Sequence, residues 1–385
     1  MSDPDKNKKD KNVALVFETA CDAHWMKDVV QLPNALAQSI FQKDAILITR
    51  PNHKQSKLCE KISLVYLGTD NPNNYQNFET QNFMNLVTDA NWHFVACKKA
   101  ADIASILILY PFYGDAYKGA KWFKIKRWLK LKKGIVILKT DGTLREQAGF
   151  KTSLRLKLQD FKRYFFIDKI ICENEQLYLE LKINHPHLNS KLVHLPNCPL
   201  DIYHSQDLIP YSIRSLNILF VGRPDDKEKG LDVLLDAWLN IFHKIPGWTL
   251  QIVGTFSIKF KNEWDGRIEI KNAMNTVKWI GEINPENLIN VYNNAKIVAC
   301  PSRKESGPIV LSEAILSGCS FIGTNVGEIP SVLNGLSGLI TKENPIESQL
   351  LFFTQNPIQC IEQSRKLLER MKDRKWAIQV KKLKI

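Results

Sequence analysis

Thirteen short apolar runs, each followed by a longer polar or amphipathic stretch, restrict this chain to a parallel α/β architecture. In the first half they are Val13–Phe17, Ala45–Thr49, Leu64–Leu67, Ile106–Tyr110, Gly134–Lys139, Phe166–Cys172 and Lys191–His194. In the second half they are Asn217–Val221, Thr249–Val253, Val277–Ile280, Lys296–Cys300, Ser320–Gly323 and Gly338–Thr341. Such runs lack the polar alternation of strands that are wet on one face, so they predict strands buried on both sides by helices. A helix-covered parallel sheet follows for each half. Pro196–Tyr211 is rich in turn formers and poor in periodicity, which predicts a domain boundary near residue 205. The expected organisation is a polar tail over 1–12, domains over 13–205 and 206–371, and a terminal helix over 372–385 packing back on the first domain. Two doubly wound, Rossmann-like domains of this kind are expected to face each other across a cleft at the carboxyl ends of their strands.

Composition narrows the setting. At 385 residues and 44% hydrophobic the chain buries ordinary cores. It has no apolar run of eighteen residues, and the charged start MSDPDKNKKDKN has no signal-peptide character, so a cytoplasmic site is expected. Eight scattered cysteines with no C-x-x-C pair read as buried free thiols. His185 and His187 flank a proline without acidic or thiol partners at ligand spacing, and read as loop residues. The net charge of +13 calls for phosphate-bearing ligands or an anionic surface.

The loop Pro301–Gly307 joins a predicted strand to a helix over Pro308–Ser317. Glu305 lies in the loop and Glu313 lies inside the helix, with seven residues between them. The free N–H groups and dipole of the helix start favour a phosphate, and carboxylates on either side of it accept hydroxyls. A sugar, a diphosphate and a ribose fit that order, although two Glu at this spacing also arise by chance on solvated helices. Arg223, after Gly222, and Lys229 flank a second loop on the same sheet edge. Arg supplies a donor fork and Lys a point charge, a pairing suited to a diphosphate.

These pieces resemble the retaining glycosyltransferases of family 4, which have the GT-B fold. The resemblance runs through FVGRPDDKEKGLDVLLDAW (220–238), LQIVG (250–254), 277–302, ESGPIVLSEAILSGCSFIGTNVGEIPSVL (305–333) and GLSGLI (335–340). It implies that Glu305 contacts hydroxyls of the transferred sugar and Glu313 the ribose. Arg223 and Lys229 would hold the diphosphate beside Gly222, with backbone amides around Ser306, Gly307, Pro308 and Ile309, and Ile283 would lie by the base. Glu305, Arg223 and Lys229 would be the catalytic set. Pro308 and Ile309 replace the family's usual phenylalanine-glycine step, so a differently shaped sugar pocket is expected.

The first half matches less. PNCPLDIYHS (196–205) and IICENEQLYLELK (170–182) resemble family segments, but the glycine-rich first loop and the middle-strand histidine are missing. Asp141 is the best acceptor-side candidate, equally readable as a turn former, with His24 behind it.

Departure of the diphosphate creates negative charge, which the helix start, Arg223 and Lys229 can meet without a metal. No D-x-D stands at a strand end, so no metal or other cofactor is expected, with the nucleotide sugar as donor substrate. The resemblance implies retention of anomeric configuration. Within the same fold, a sugar-nucleotide epimerase or a phosphorylase is the rival; outside it, a non-catalytic subunit that binds a partner or membrane.

From Lys118 to Lys133 stand eight basic residues and no acid, interleaved with aromatics. Lys121, Trp122, Lys124, Lys126, Arg127, Trp128 and Lys130 form the centre of this patch. One reading is a peripheral helix on an anionic inner membrane face, reaching a glycan or lipid-linked acceptor. A packed helix with solvated lysines is the second reading. Nucleic-acid binding is disfavoured, since no nucleic-acid module accompanies the charge. Further basic stretches occur at Lys151–Phe166 and Lys372–Ile385.

Overall fold

A computed structural model describes residues 12–18, 20–21, 24–51, 55–67, 90–110, 116–140, 164–205 and 207–385. The chain divides into two compact units, 1–196 with 376–385, and 197–375. The division falls after Pro196 rather than near residue 205. NCPLDIYHS (197–205) goes with the second unit because its side chains have partners there: Tyr203 belongs to a core cluster of that unit, and Asn197 Nδ2 donates to the Gly307 carbonyl at 3.1 Å.

In the first unit, strands β1 (Val13–Val16), β2 (Ile46–Thr49), β3 (Ser63–Tyr66), β4 (Ile106–Leu109), β5 (Ile135–Thr140), β6 (Lys169–Cys172) and β7 (Leu192–His194) lie in the order β3-β2-β1-β4-β5-β6-β7. Every pairing is parallel. The order reverses between β1 and β4, a switch point of the type where ligands of such sheets bind. β1 and β4 are buried throughout, as continuous apolar runs require.

Helix α1 (Asp28–Phe41) buries Val29, Val30, Leu32, Leu36 and Ala37, at helical spacing on one face. Helix α2 spans Ser56–Lys61. Helices α3 (Ala90–Ile103) and α4 (Ala116–Leu129) pack closely through Gly119, where a Cβ would lie 2.5 Å from Cys97 Sγ. Helix α5 covers Glu175–Asn184, capped by Asn174, whose side chain accepts the Leu177 N–H.

In the second unit, β8 (Asn217–Val221), β9 (Thr249–Val253), β10 (Val277–Gly281), β11 (Ile297–Cys300), β12 (Ser320–Thr324) and β13 (Leu339–Ile340) follow the order β10-β9-β8-β11-β12-β13, again all parallel. Helices α6 (Leu231–Ile241), α7 (Ile258–Ile270), α8 (Pro285–Asn294), α9 (Ile309–Leu316), α10 (Ile329–Leu333), α11 (Ile346–Gln355) and α12 (Pro357–Met371) follow in sequence. Helix α6 buries Leu231, Leu234, Leu235 and Trp238, and Trp238 Nε1 donates to Thr276 Oγ1 at 3.0 Å. The terminal helix α13 (Trp376–Gln379) belongs to the first unit, where it packs on α1.

Two details differ from the sequence reading. All eight cysteines are free, but Cys59 is exposed and Cys21 half-buried. Arg127 faces inward: its Nε and Nη2 both donate to the Lys133 carbonyl, at 3.0 and 2.8 Å, and the side chain is buried beside Phe123 and Gly134. The guanidinium ends the helix by satisfying a carbonyl just beyond it, so Arg127 leaves the outward basic set.

Candidate donor site

The loop after β8 and the loop after β11 meet at the carboxyl edge of the second sheet. The chain enters α6 through Gly230, at φ +70°, where a Cβ would stand 2.1 Å from the Pro301 carbonyl oxygen. Only glycine permits both that backbone conformation and that approach. The contact brings the two loops together. Arg303 N–H donates to the Glu228 carbonyl at 2.7 Å, and the Arg303 guanidinium grips Asp232 with bonds of 2.8 and 2.7 Å. A bidentate pair of this kind fixes orientation as well as distance.

That stitching sets Lys229 Nζ 2.7 Å from Glu305 Oε1. Ser302 Oγ donates to the same oxygen at 2.9 Å, and Thr324 Oγ1 holds the Ser302 carbonyl at 2.5 Å. Glu305 is therefore oriented by two donors. Lys229 is 24% exposed, and an ammonium carries three protons, so it can hold Glu305 and an anion together. Arg223 is 61% exposed and pairs with Asp226 at 2.5 Å. The pair is a single-nitrogen contact at an exposed i,i+3 position rather than a two-pronged fork.

Helix α9 begins at Ile309, with Pro308 as the residue before its first turn and no side-chain cap. Glu313 lies one turn further and accepts from the Tyr292 hydroxyl at 3.0 Å. Burial pushes its carboxyl up to about 7, against a smaller lowering by that hydrogen bond. Ile283 packs half-buried against the core beside α8. The structure thus brings Lys229 and Glu305 together just ahead of α9, ties Glu313, within that helix, to Tyr292, and leaves Arg223 exposed and paired with Asp226.

On the acceptor side, Asp141 and most of Lys151–Phe166 lie outside the described residues, as does the tail over 1–11. His24 is buried, its Nδ1 accepting the Cys21 N–H at 3.0 Å. Burial, then the nearby Lys27 charge, lowers its imidazole to about 3, so it stays neutral at ordinary pH.

The sequence reading missed a polar cluster at the carboxyl edge of the first sheet. Lys139 Nζ, fully buried, lies 2.7 Å from Asp28 Oδ2 and 2.6 Å from Glu173 Oε2, and the Tyr110 hydroxyl donates to Asp28 Oδ2 at 2.6 Å. Burial alone would lower the Lys139 ammonium and raise the Asp28 carboxyl. The opposite charges outweigh it, so lysine is raised and aspartate lowered. The available signal was a lysine closing an otherwise apolar strand.

The glycosyl transferases group 1 family model matches residues 214–378, the stretch that carries both loops, α9 and the Glu305–Glu313 pair. This stretch is a group 1 glycosyl transferase domain. A phosphatidyl-myo-inositol mannosyltransferase of Mycobacterium tuberculosis is 26% identical over 179 residues, 46% of each chain. A D-inositol 3-phosphate glycosyltransferase of Nocardia farcinica is 33% identical over 131 residues, 32% of this chain and 29% of the relative. The chain thus spans less than half the length of these curated relatives. Among solved structures, Alr3699/HepE of Anabaena, crystallised with UDP, superposes with a TM-score of 0.67 over 97% of both chains at 14% identity. A glycosyltransferase of Rickettsia africae gives 0.62 at 15% identity, over 97% of this chain and 96% of the other. The fold is GT-B, with two Rossmann-like parallel sheets. Sequence similarity is concentrated in the group 1 glycosyl transferase domain.

Proposed function

We propose that the protein is a retaining glycosyltransferase that moves a hexose-type sugar from a nucleoside-diphosphate sugar to a glycan or lipid-linked acceptor at the cytoplasmic face of a membrane. The observation that carries the donor assignment is Glu305, held by Lys229 and Ser302 immediately ahead of the uncapped start of α9. In this reading Glu305 accepts hydroxyls of the sugar, and Glu313 accepts those of the ribose. Lys229, Arg223 and the first-turn amides of α9 receive the charge that grows on the departing diphosphate. These groups supply the positive charge without a divalent ion, and the leaving phosphate takes the acceptor's proton on the face it leaves.

The membrane half of the reading rests on the end of α4. Trp128 and Leu129 are 72% and 69% exposed, and Leu131, just past the helix, is 95% exposed. Lys126 and Lys130 both pair with Asp102, at 2.7 and 2.5 Å, and Lys124 with Asp168, so these lysines are partly spoken for. Lys121, Lys132 and Lys133 flank the apolar tip with no acid in the segment, which suits an anionic lipid surface. Among the described residues no helix is long and apolar enough to cross a membrane, so the attachment would be peripheral.

The donor reading is tested by incubating purified protein with UDP-, GDP- and ADP-sugars and a membrane lipid extract. Transfer from one donor, undiminished by EDTA and giving a product of the donor's own anomeric configuration, is expected. Inversion would overturn retention, and transfer from none of the donors would overturn the donor assignment.

A further inference from the structure

The loop that precedes α9 is held from behind at three carbonyls. Thr324 Oγ1 donates to the Ser302 carbonyl at 2.5 Å, Glu328 N–H to that of Ser306 at 2.9 Å, and Asn197 Nδ2 to that of Gly307 at 3.1 Å. A planar peptide points its N–H opposite its carbonyl. Fixing the Ser306 carbonyl on Glu328 therefore aims the Gly307 N–H the other way, away from Glu328. Fixing the Gly307 carbonyl sets the peptide to Pro308, and with it the direction in which the first turn of α9 presents its amides. The approach of Glu328 depends on Gly327, at φ +57°, where a Cβ would sit 2.3 Å from the Ser306 oxygen. Concave runs of oriented amides of this kind bind anions.

Two of the three holds end on one residue. Arg374 Nη1 lies 2.8 Å from the Glu328 carboxylate and 3.4 Å from the Asn197 carbonyl. The side chains of the ion pair are only 10% and 4% exposed. His204 in turn contacts the Arg374 carbonyl through Nε2 at 3.0 Å. A buried pair of this kind often adds nothing to stability over apolar residues of the same size. Its placement is informative instead: it joins the first and last segments of the second unit to the back of the loop whose front faces the donor. We propose that Arg374, acting through Glu328 and Asn197, is a positioning residue for the amides that receive the donor's diphosphate.

This inference rests on the donor reading above, and the test separates the two. UDP, GDP and ADP are titrated against the wild-type protein by calorimetry, and the tightest is compared with its own nucleoside, which lacks the phosphates. The same ratio is then measured in Arg374→Met/Glu328→Met, which removes the pair without stranding a charge, and in Asn197→Ala, which removes the side-chain hold on Gly307 and leaves the Arg374–Glu328 pair in place. The diphosphate should weaken roughly tenfold in each, as expected for losing aligned hydrogen bonds, while the nucleoside stays within about twofold. A merely structural role would lower the melting temperature or weaken both ligands alike. If the double variant does not fold, Asn197→Ala decides. An unchanged ratio in a folded variant overturns the positioning role alone, whereas a wild-type protein that binds none of the three diphosphates overturns the donor reading and this inference with it.

Discussion

The two sheets share the strand order 3-2-1-4-5-6, to which the first adds a seventh strand, and each has a lysine paired with carboxylate near its carboxyl edge, yet the two pairs are built for different ends. In the first unit Lys139 is wholly buried between Asp28 and Glu173. In the second, Lys229 is 24% exposed beside Glu305, whose second donor is a serine. A fully buried ammonium, whatever protons its two partners leave, presents no surface for a ligand to reach. An ammonium at the surface, with one carboxylate partner, can add a phosphate oxygen at small desolvation cost. Position at a sheet's carboxyl edge is therefore not enough to make a site; exposure of the charged atom decides it.

Substitution of the two lysines should break the comparison most visibly. Lys139→Met leaves two carboxylates inside with no cation, and should cost about 3–5 kcal/mol in chemical denaturation. Lys229→Met, at a partly wet pair, should cost under about 1 kcal/mol. Equal losses would show that the two pairs are energetically alike.

Glu313 gives the next largest effect. Its carboxyl is raised from 4.5 to about 7, so between those values the folded protein binds a proton that the unfolded chain has released. Stability is then fully present below about pH 4.5, falls as pH rises towards 7, and levels off above it. Glu313→Gln keeps an acceptor for Tyr292 and removes the titration. The variant should gain on the order of 3 kcal/mol over wild type at pH 8 and nothing at pH 4. It should also bind the nucleotide sugar less tightly. A variant no more stable than wild type at pH 8 would contradict the buried, raised carboxyl.

The smallest effect on stability should come from Trp128→Ser with Leu131→Ser, within about 0.5 kcal/mol because both side chains are exposed. The same pair should abolish co-sedimentation with liposomes rich in anionic lipid. Wild type should also release at raised salt, since surface charge is screened. Wild type that ignores such liposomes would remove the membrane role.

The sequence was most legible where one physical rule governed the residues. All thirteen apolar runs became strands within a few residues of their expected bounds, because a strand buried on both faces has little choice of composition. That Lys229 and Glu305 lie together was readable because each sits in a loop at a strand end on one sheet edge. What escaped was long-range pairing. Nothing local connects Lys139 to Asp28, more than a hundred residues away, or Arg374 to Glu328 and Asn197. Arg127 was misread because a helical wheel does not show that its guanidinium folds back on the Lys133 carbonyl. Tyr292, the partner of Glu313, carried no signal beyond the apolar periodicity of α8.

The most direct test of the account is the thermal shift of the purified protein with UDP-, GDP- and ADP-sugars, in wild type and in Arg223→Ala/Lys229→Ala. One base should raise the wild-type melting temperature by several degrees at saturating ligand, and the double variant should lose that rise while melting close to wild type without ligand. No rise with any donor, or a rise that survives removal of both cations, would contradict the donor site.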